Sequence, residues 1–143
     1  MTPFQSLREY ELLVYTLQQQ FPAVFRSTLV VAQRGRFFAE VVGELHFSDD
    51  RRLTIYERLV WEADAESIRI EDYGYEAWRG GEKLYWYDSQ PHPNDPSLAS
   101  TDPHHKHVPP DIKHNRIPAP DLKFDAPNLP FLIDEIVSMA AAQ

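Results

Sequence analysis

The chain contains no cysteine, so disulfides, thiolate zinc sites and a cysteine nucleophile are all excluded. That absence fits a reducing compartment. Glycine is scarce at five residues, and none of them builds a Gly-rich phosphate loop or a nucleophile elbow. An HExxH helix is missing as well. No apolar run is long enough to cross a bilayer as a helix. The opening MTPFQSLREYE lacks a basic segment followed by an apolar stretch, so no secretory signal is expected and the expected location is the cytoplasm. Cations are outnumbered, with 14 Lys and Arg against 22 Asp and Glu and a net charge of -8. Broad, non-specific binding to nucleic acid is therefore disfavoured, while a small basic site on an acidic body stays open.

Aromatic residues are abundant, with eight Phe, seven Tyr and three Trp in 143 residues. A chain of this length and composition is expected to fold as one domain, 1–143, around a core that needs no covalent staple. Leu7, Tyr10, Val14, Leu17 and Phe21, flanked by Leu13, recur at helical spacing and predict a helix over about 3–20. Two start signals compete for it, Thr2-Pro3 and the capping box Ser6 to Glu9. From Ser27 the period changes to two. Ala39, Val41, Gly43 and Leu45 alternate with Glu40, Val42 and Glu44, and later runs reach Asp88, with turn signals at Arg34-Gly35, Asp49-Asp50 and Gly80-Gly81. The expectation is five antiparallel strands in a meander, all within about 27–88. A last helix, about 128–141, carries Leu129, Leu132, Ile133, Ile136 and Val137 on one face. The fold class that follows is two-layer α+β, a five-stranded antiparallel sheet packed with an N-terminal and a C-terminal helix.

Between sheet and last helix, about 89–125, the reading is a proline- and histidine-rich loop. Ten of the twelve prolines lie from Pro91 to Pro130, and four of the six histidines lie from His92 to His107. Interior prolines exclude a helix or a central strand, and a long connection in a compact domain is usually functional or disordered. His46 and His114 read as surface residues.

The chemistry centres on His104-His105-Lys106-His107. Histidine titrates nearest neutrality, so two copies can serve as base and acid in one reaction, with a lysine opposing developing negative charge. This suits RNA transesterification without a metal. The expected catalytic set is His104 and His107 as the acid/base pair, Lys106 on the phosphate, and His92 and Asp88 in support. Tyr73, Tyr75 and Arg58, with His105, form the expected substrate platform, provided that neighbouring strands bring them together. No cofactor is required on this reading. The alternative is a divalent metal held by His92, His104, His105 and His107, with Asp88 as a further donor. A third reading has the imidazoles bonding backbone carbonyls and shaping the loop, and a fourth makes the chain a non-enzymatic protein-interaction module.

Tyr73-x-Tyr75, Trp86-Tyr87-Asp88-Ser89, Pro91-His92-Pro93 and Asp102-Pro103-His104-His105-Lys106-His107-Val108 together resemble the TumE-like family of prokaryotic toxin–antitoxin proteins. The family pattern has Arg where this chain has Trp86, Asn where it has Ser89, and a second histidine in the Pro-His-Pro segment. The resemblance implies a small toxin neutralised by a partner antitoxin, with nuclease action on RNA as the expected activity. Membrane partners are not expected, and an open sheet edge would allow a homodimer.

Overall fold

Ser6 sets the start of the first helix. Its hydroxyl accepts from the Glu9 N–H at 3.1 Å, so the second capping signal operates, and the competing Thr2-Pro3 lies outside the described residues. The computed structural model describes residues 4–64 and 67–141. Helix α1 spans Leu7–Tyr15 and buries Tyr10, Leu13 and Val14. The single helix expected to about Gln20 is broken at Thr16, whose hydroxyl bonds the Leu12 carbonyl at 2.6 Å. A hydroxyl competing for a helical carbonyl loosens the next turn, and a short α2, Leu17–Gln20, follows.

Among the described residues the sheet has eight strands, not five. Four long ones form the expected meander: β3 Phe38–His46, β4 Arg51–Val60, β5 Arg69–Arg79 and β6 Glu82–Asp88. Asp49 and Asp50, both at φ near 60°, turn β3 into β4, and Gly80 at φ 58° turns β5 into β6. On the far side of β3 the edge is split into β1, Arg26–Ser27, and β2, Val30–Gln33. The split falls opposite Gly43, which sits at φ 147° with the Thr28 carbonyl oxygen 2.6 Å from where a Cβ would lie. Both the conformation and the close approach require glycine. Gly43→Ala is expected to cost about 3 kcal/mol, read as a lowered midpoint in urea unfolding.

The remaining two strands arise where a loop was expected. β7 is His105–His107 and pairs with β6; β8 is Arg116–Pro118 and pairs with β7. The prolines bracket β7 without interrupting it, since Pro103, Pro109 and Pro110 lie outside that strand. Pro118 is tolerated because β8 is an edge, where a missing N–H breaks no ladder bond. A 3-10 turn, Pro96–Leu98, sits between β6 and β7, capped by the Asp95 carboxylate. The last helix, α3, runs Leu129–Ala141, close to its expected limits.

Alternation sorts the sheet into two faces. Ala39, Val41, Leu45, Leu53, Ile55, Leu59, Tyr75, Ala77 and Tyr85 point to the buried side. There α1 reaches it through Tyr10, which bonds Glu57, and α3 through Glu135, which bonds Tyr87. None of the helices among the described residues is long and apolar enough to cross a membrane.

Candidate active site

The register of β6, β7 and β8 places the titratable residues. Asp88 stands opposite His105, and Trp86 stands opposite His107, which in turn faces Arg116. Since partners directly across a ladder point to the same side, Asp88, His105, His107, Trp86 and Arg116 share the face away from the helices. Lys106, between the two histidines, points the other way.

On this outer face His105 Nε2 lies 2.8 Å from Asp88 Oδ1, and His107 Nε2 lies 3.4 Å from Asp88 Oδ2. The two Nε2 atoms are 3.1 Å apart. Each ring is held from behind, His105 Nδ1 by the Pro103 carbonyl and His107 Nδ1 by the Ile112 carbonyl, both at 3.1 Å. Trp86 lies flat on His107, with centroids 3.7 Å apart and planes at 11°. Both histidines are enclosed, at 1% and 4% exposure. His92, from the segment after β6, sets its ring edge-on to His105 at 4.6 Å. Arg116 Nη1 meets His92 at 2.9 Å from Nδ1 and 3.1 Å from Nε2, and Arg116 Nη2 is 3.9 Å from Asp95.

Two openings reach this cluster. One, about 350 Å³, is lined by His92, Asp95, Arg116 and Pro91 to Asn94. The other, about 500 Å³, reaches Asp88 beside Asp72, Tyr73 and Ser89. Gly74, the partner of Asp88 on β5, adds space there, because a Cβ at that position would meet nothing within 4 Å. A larger hollow of about 560 Å³ lies between Phe25 and the Ser48–Arg52 turn, but its charges already pair with one another, as in Arg51–Asp49 and Arg52–Glu44.

The protonation states follow from these contacts. Burial opposes charge on Asp88, but hydrogen bonding and attraction from His105 outweigh it and hold the carboxyl below its ordinary value. Burial also pulls His105 down, yet the bond to Asp88 and its charge win and the ring is held above the ordinary value. His107 is held below, chiefly by burial. His92 is lowered by burial and then by the Arg116 charge, which matches its role as acceptor for that guanidinium.

The cluster differs from the set expected from spacing. His104 and His107 do not meet. His104 turns to the helix side, where its Nδ1 is 2.7 Å from the Tyr73 hydroxyl and its ring packs on Phe124. Lys106 pairs with Glu135 of α3 at 3.0 Å and lies over the Tyr85 ring at 4.3 Å, so it fastens the helix to the sheet. The platform is also divided. Tyr56 pairs with Gly74 and Arg58 with Asp72, which leaves Arg58 on the outer face, bonded to Glu71 at 2.8 Å. Tyr73 and Tyr75 face inward at 3% and 1% exposure, stacked on each other. Asp88, His92 and His105 do come together, and of the alternative metal set only His104 is left out. Arg116 and Trp86 went unrecognised as neighbours of the histidines. Arg116 is 24 residues from His92 in sequence, and only the short β7–β8 pairing brings it back.

In the comparisons with known proteins, residues 14–138 match the family model described as Toxin TumE. No curated protein and no solved structure matches the chain.

Proposed function

The chain belongs to the Toxin TumE family, and from that membership together with the outer-face cluster we propose that it is a toxin that cleaves RNA. The clustering of Asp88, His92, His105, His107 and Arg116 on the outer face, with His92 and Arg116 at one opening and Asp88 at another, carries this reading. Transesterification needs a group that takes the 2′-hydroxyl proton, a proton for the departing 5′ oxygen, and a cation against the charge that builds on phosphorus. His92 stands at the opening and exchanges the proton. Arg116 meets the phosphate, its fork suited to paired oxygens. Asp88, His105 and His107 form the buried base that positions His92 and sets the local charge.

The same face offers places for bases. Lys83 lies 5.1 Å from the Trp78 ring and 5.2 Å from that of Trp86, and Arg52 lies 5.0 Å from Trp78. Flat aromatic faces beside cations suit single-stranded RNA, although Glu44 and Glu76 already neutralise part of this charge. Family membership also carries the expectation of a cognate antitoxin. A homodimer through the β2 edge is less favoured, because the Tyr15 hydroxyl already occupies the outward N–H of Val31 at 2.8 Å.

The test is cleavage of single-stranded RNA by the purified protein. His92→Ala and Arg116→Ala are each expected to lower the rate at least about tenfold, while Lys106→Ala and His104→Ala act mainly on melting temperature. Intact RNA in every lane would overturn the nuclease reading and turn the search to protein targets.

A further inference from the structure

The hydrogen-bond arithmetic of the two buried histidines leaves a gap. Each Nδ1 meets a backbone carbonyl, at Pro103 and Ile112. A carbonyl only accepts, so both Nδ1 atoms carry hydrogen. In the neutral rings both Nε2 atoms then present lone pairs, and these face each other at 3.1 Å with a carboxylate beside them. Three electron-rich groups do not converge unless something positive sits among them, either a proton or a metal ion.

We propose that Asp88, His105 and His107 form a three-donor centre for a divalent transition-metal ion of the zinc class, with His92 available for a fourth position. The donor separations of 2.8, 3.1 and 3.4 Å reach but do not exceed the roughly 3.4 Å expected between ligands of a tetrahedral ion with ~2.1 Å bonds, so a small outward shift of the side chains admits the ion. The outward hydrogen bonds supply the support that metal-bound imidazoles need, since a held Nδ1–H fixes the ring and aims Nε2. Two imidazoles and one carboxylate favour zinc, cobalt, iron or manganese over calcium, which prefers oxygen donors alone. His92 already belongs to the constellation, because the ligand atoms of Asp88, His92 and His105 all lie within 4.8 Å of one another. To bind, its ring has to release Arg116, which keeps Asp95 as an ionic partner. An ion here would supply a Lewis acid for phosphate oxygen. That consequence alone rests on the proposed RNA cleavage, whereas binding does not.

Protein stripped with chelator is titrated with Co²⁺ while visible absorption is followed, and Zn²⁺ then competes. One equivalent of Co²⁺ developing tetrahedral or five-coordinate absorption, displaced by Zn²⁺, is the expected result. His107→Ala and Asp88→Asn are expected to weaken binding at least about tenfold, with His114→Ala unchanged. Because a core variant can fail to fold, the native chain is also melted with and without Zn²⁺, where binding to the folded form alone raises the melting temperature. Absence of both the Co²⁺ spectrum and the Zn²⁺-dependent shift would overturn the metal centre, as would equal loss of binding in His114→Ala. RNA cleavage that persists in chelator, with no ion retained, would overturn the Lewis-acid role of the ion and leave the nuclease reading standing. Stoichiometric binding with uncleaved RNA would do the reverse.

Discussion

Asp88→Asn is expected to lower RNA cleavage about a hundredfold or more while leaving the melting temperature within about 3 °C of the native value. Asp88 is the residue whose carboxylate meets both His105 and His107, and it also accepts from the Gln90 N–H at 3.1 Å. Asparagine keeps the size and one oxygen, so the turn after β6 survives. It loses the charge that keeps His105 above its ordinary pKa, and its amide nitrogen presents hydrogens where an imidazole needs an acceptor. The cluster then stands in the wrong protonation pattern. The measurement is a single-turnover cleavage rate beside a thermal melt of the same preparation. Unchanged cleavage would remove Asp88 from the site; a collapse of the melt would make the residue structural.

The second large effect lies on the opposite face. Glu57 is fully buried and receives the Tyr10 and Tyr75 hydroxyls at 2.5 Å each, and Asn128 donates to the Tyr75 oxygen at 3.1 Å. One carboxylate thus joins α1, the sheet and the approach to α3. Glu57→Ala is expected to destabilise the chain by about 4 kcal/mol, through a cavity and two hydroxyls without an acceptor. Glu57→Gln is expected to be far milder, since its amide can still accept from one hydroxyl and donate to the other.

Burial raises the Glu57 pKa from 4.5 to about 7, against the two hydroxyl bonds, which lower it. The folded state therefore holds a proton that the unfolded chain has released between those values. The stabilisation is fully present below pH 4.5 and is lost as pH rises through about 7. The native chain is expected to be less stable at pH 8 than at pH 5, by roughly 3 kcal/mol from this residue alone. Urea midpoints at the two pH values, compared with Glu57→Gln, test this directly. An identical pH dependence in the variant would assign the effect to other groups.

Much of the fold was legible because its signals are local. The helical stripe from Leu7 to Phe21, the alternation along β3, the turns at Asp49-Asp50 and Gly80-Gly81, and α3 each depend on residues within a few positions of one another. The splitting of the first helix at Thr16 was missed because its cause is a single side-chain bond to Leu12. Strands β7 and β8 were hidden by their prolines. Each spans three residues and persists only because a neighbouring strand supplies its ladder.

The candidate site divides along the same line. The run His104-His105-Lys106-His107 marked the region, because residue type is written in the chain. Which of the four residues meet depends on alternation within β7. In an extended strand, neighbours point to opposite faces, so His105 and His107 reach Asp88 while His104 turns to Tyr73 and Lys106 to Glu135. The sequence by itself determined the four long strands, the last helix, the family and the presence of a histidine cluster. Only the tertiary structure decided which histidines meet Asp88 and brought in Arg116, because strand register is set by pairing between segments distant in sequence, and a shift of one residue exchanges the two faces.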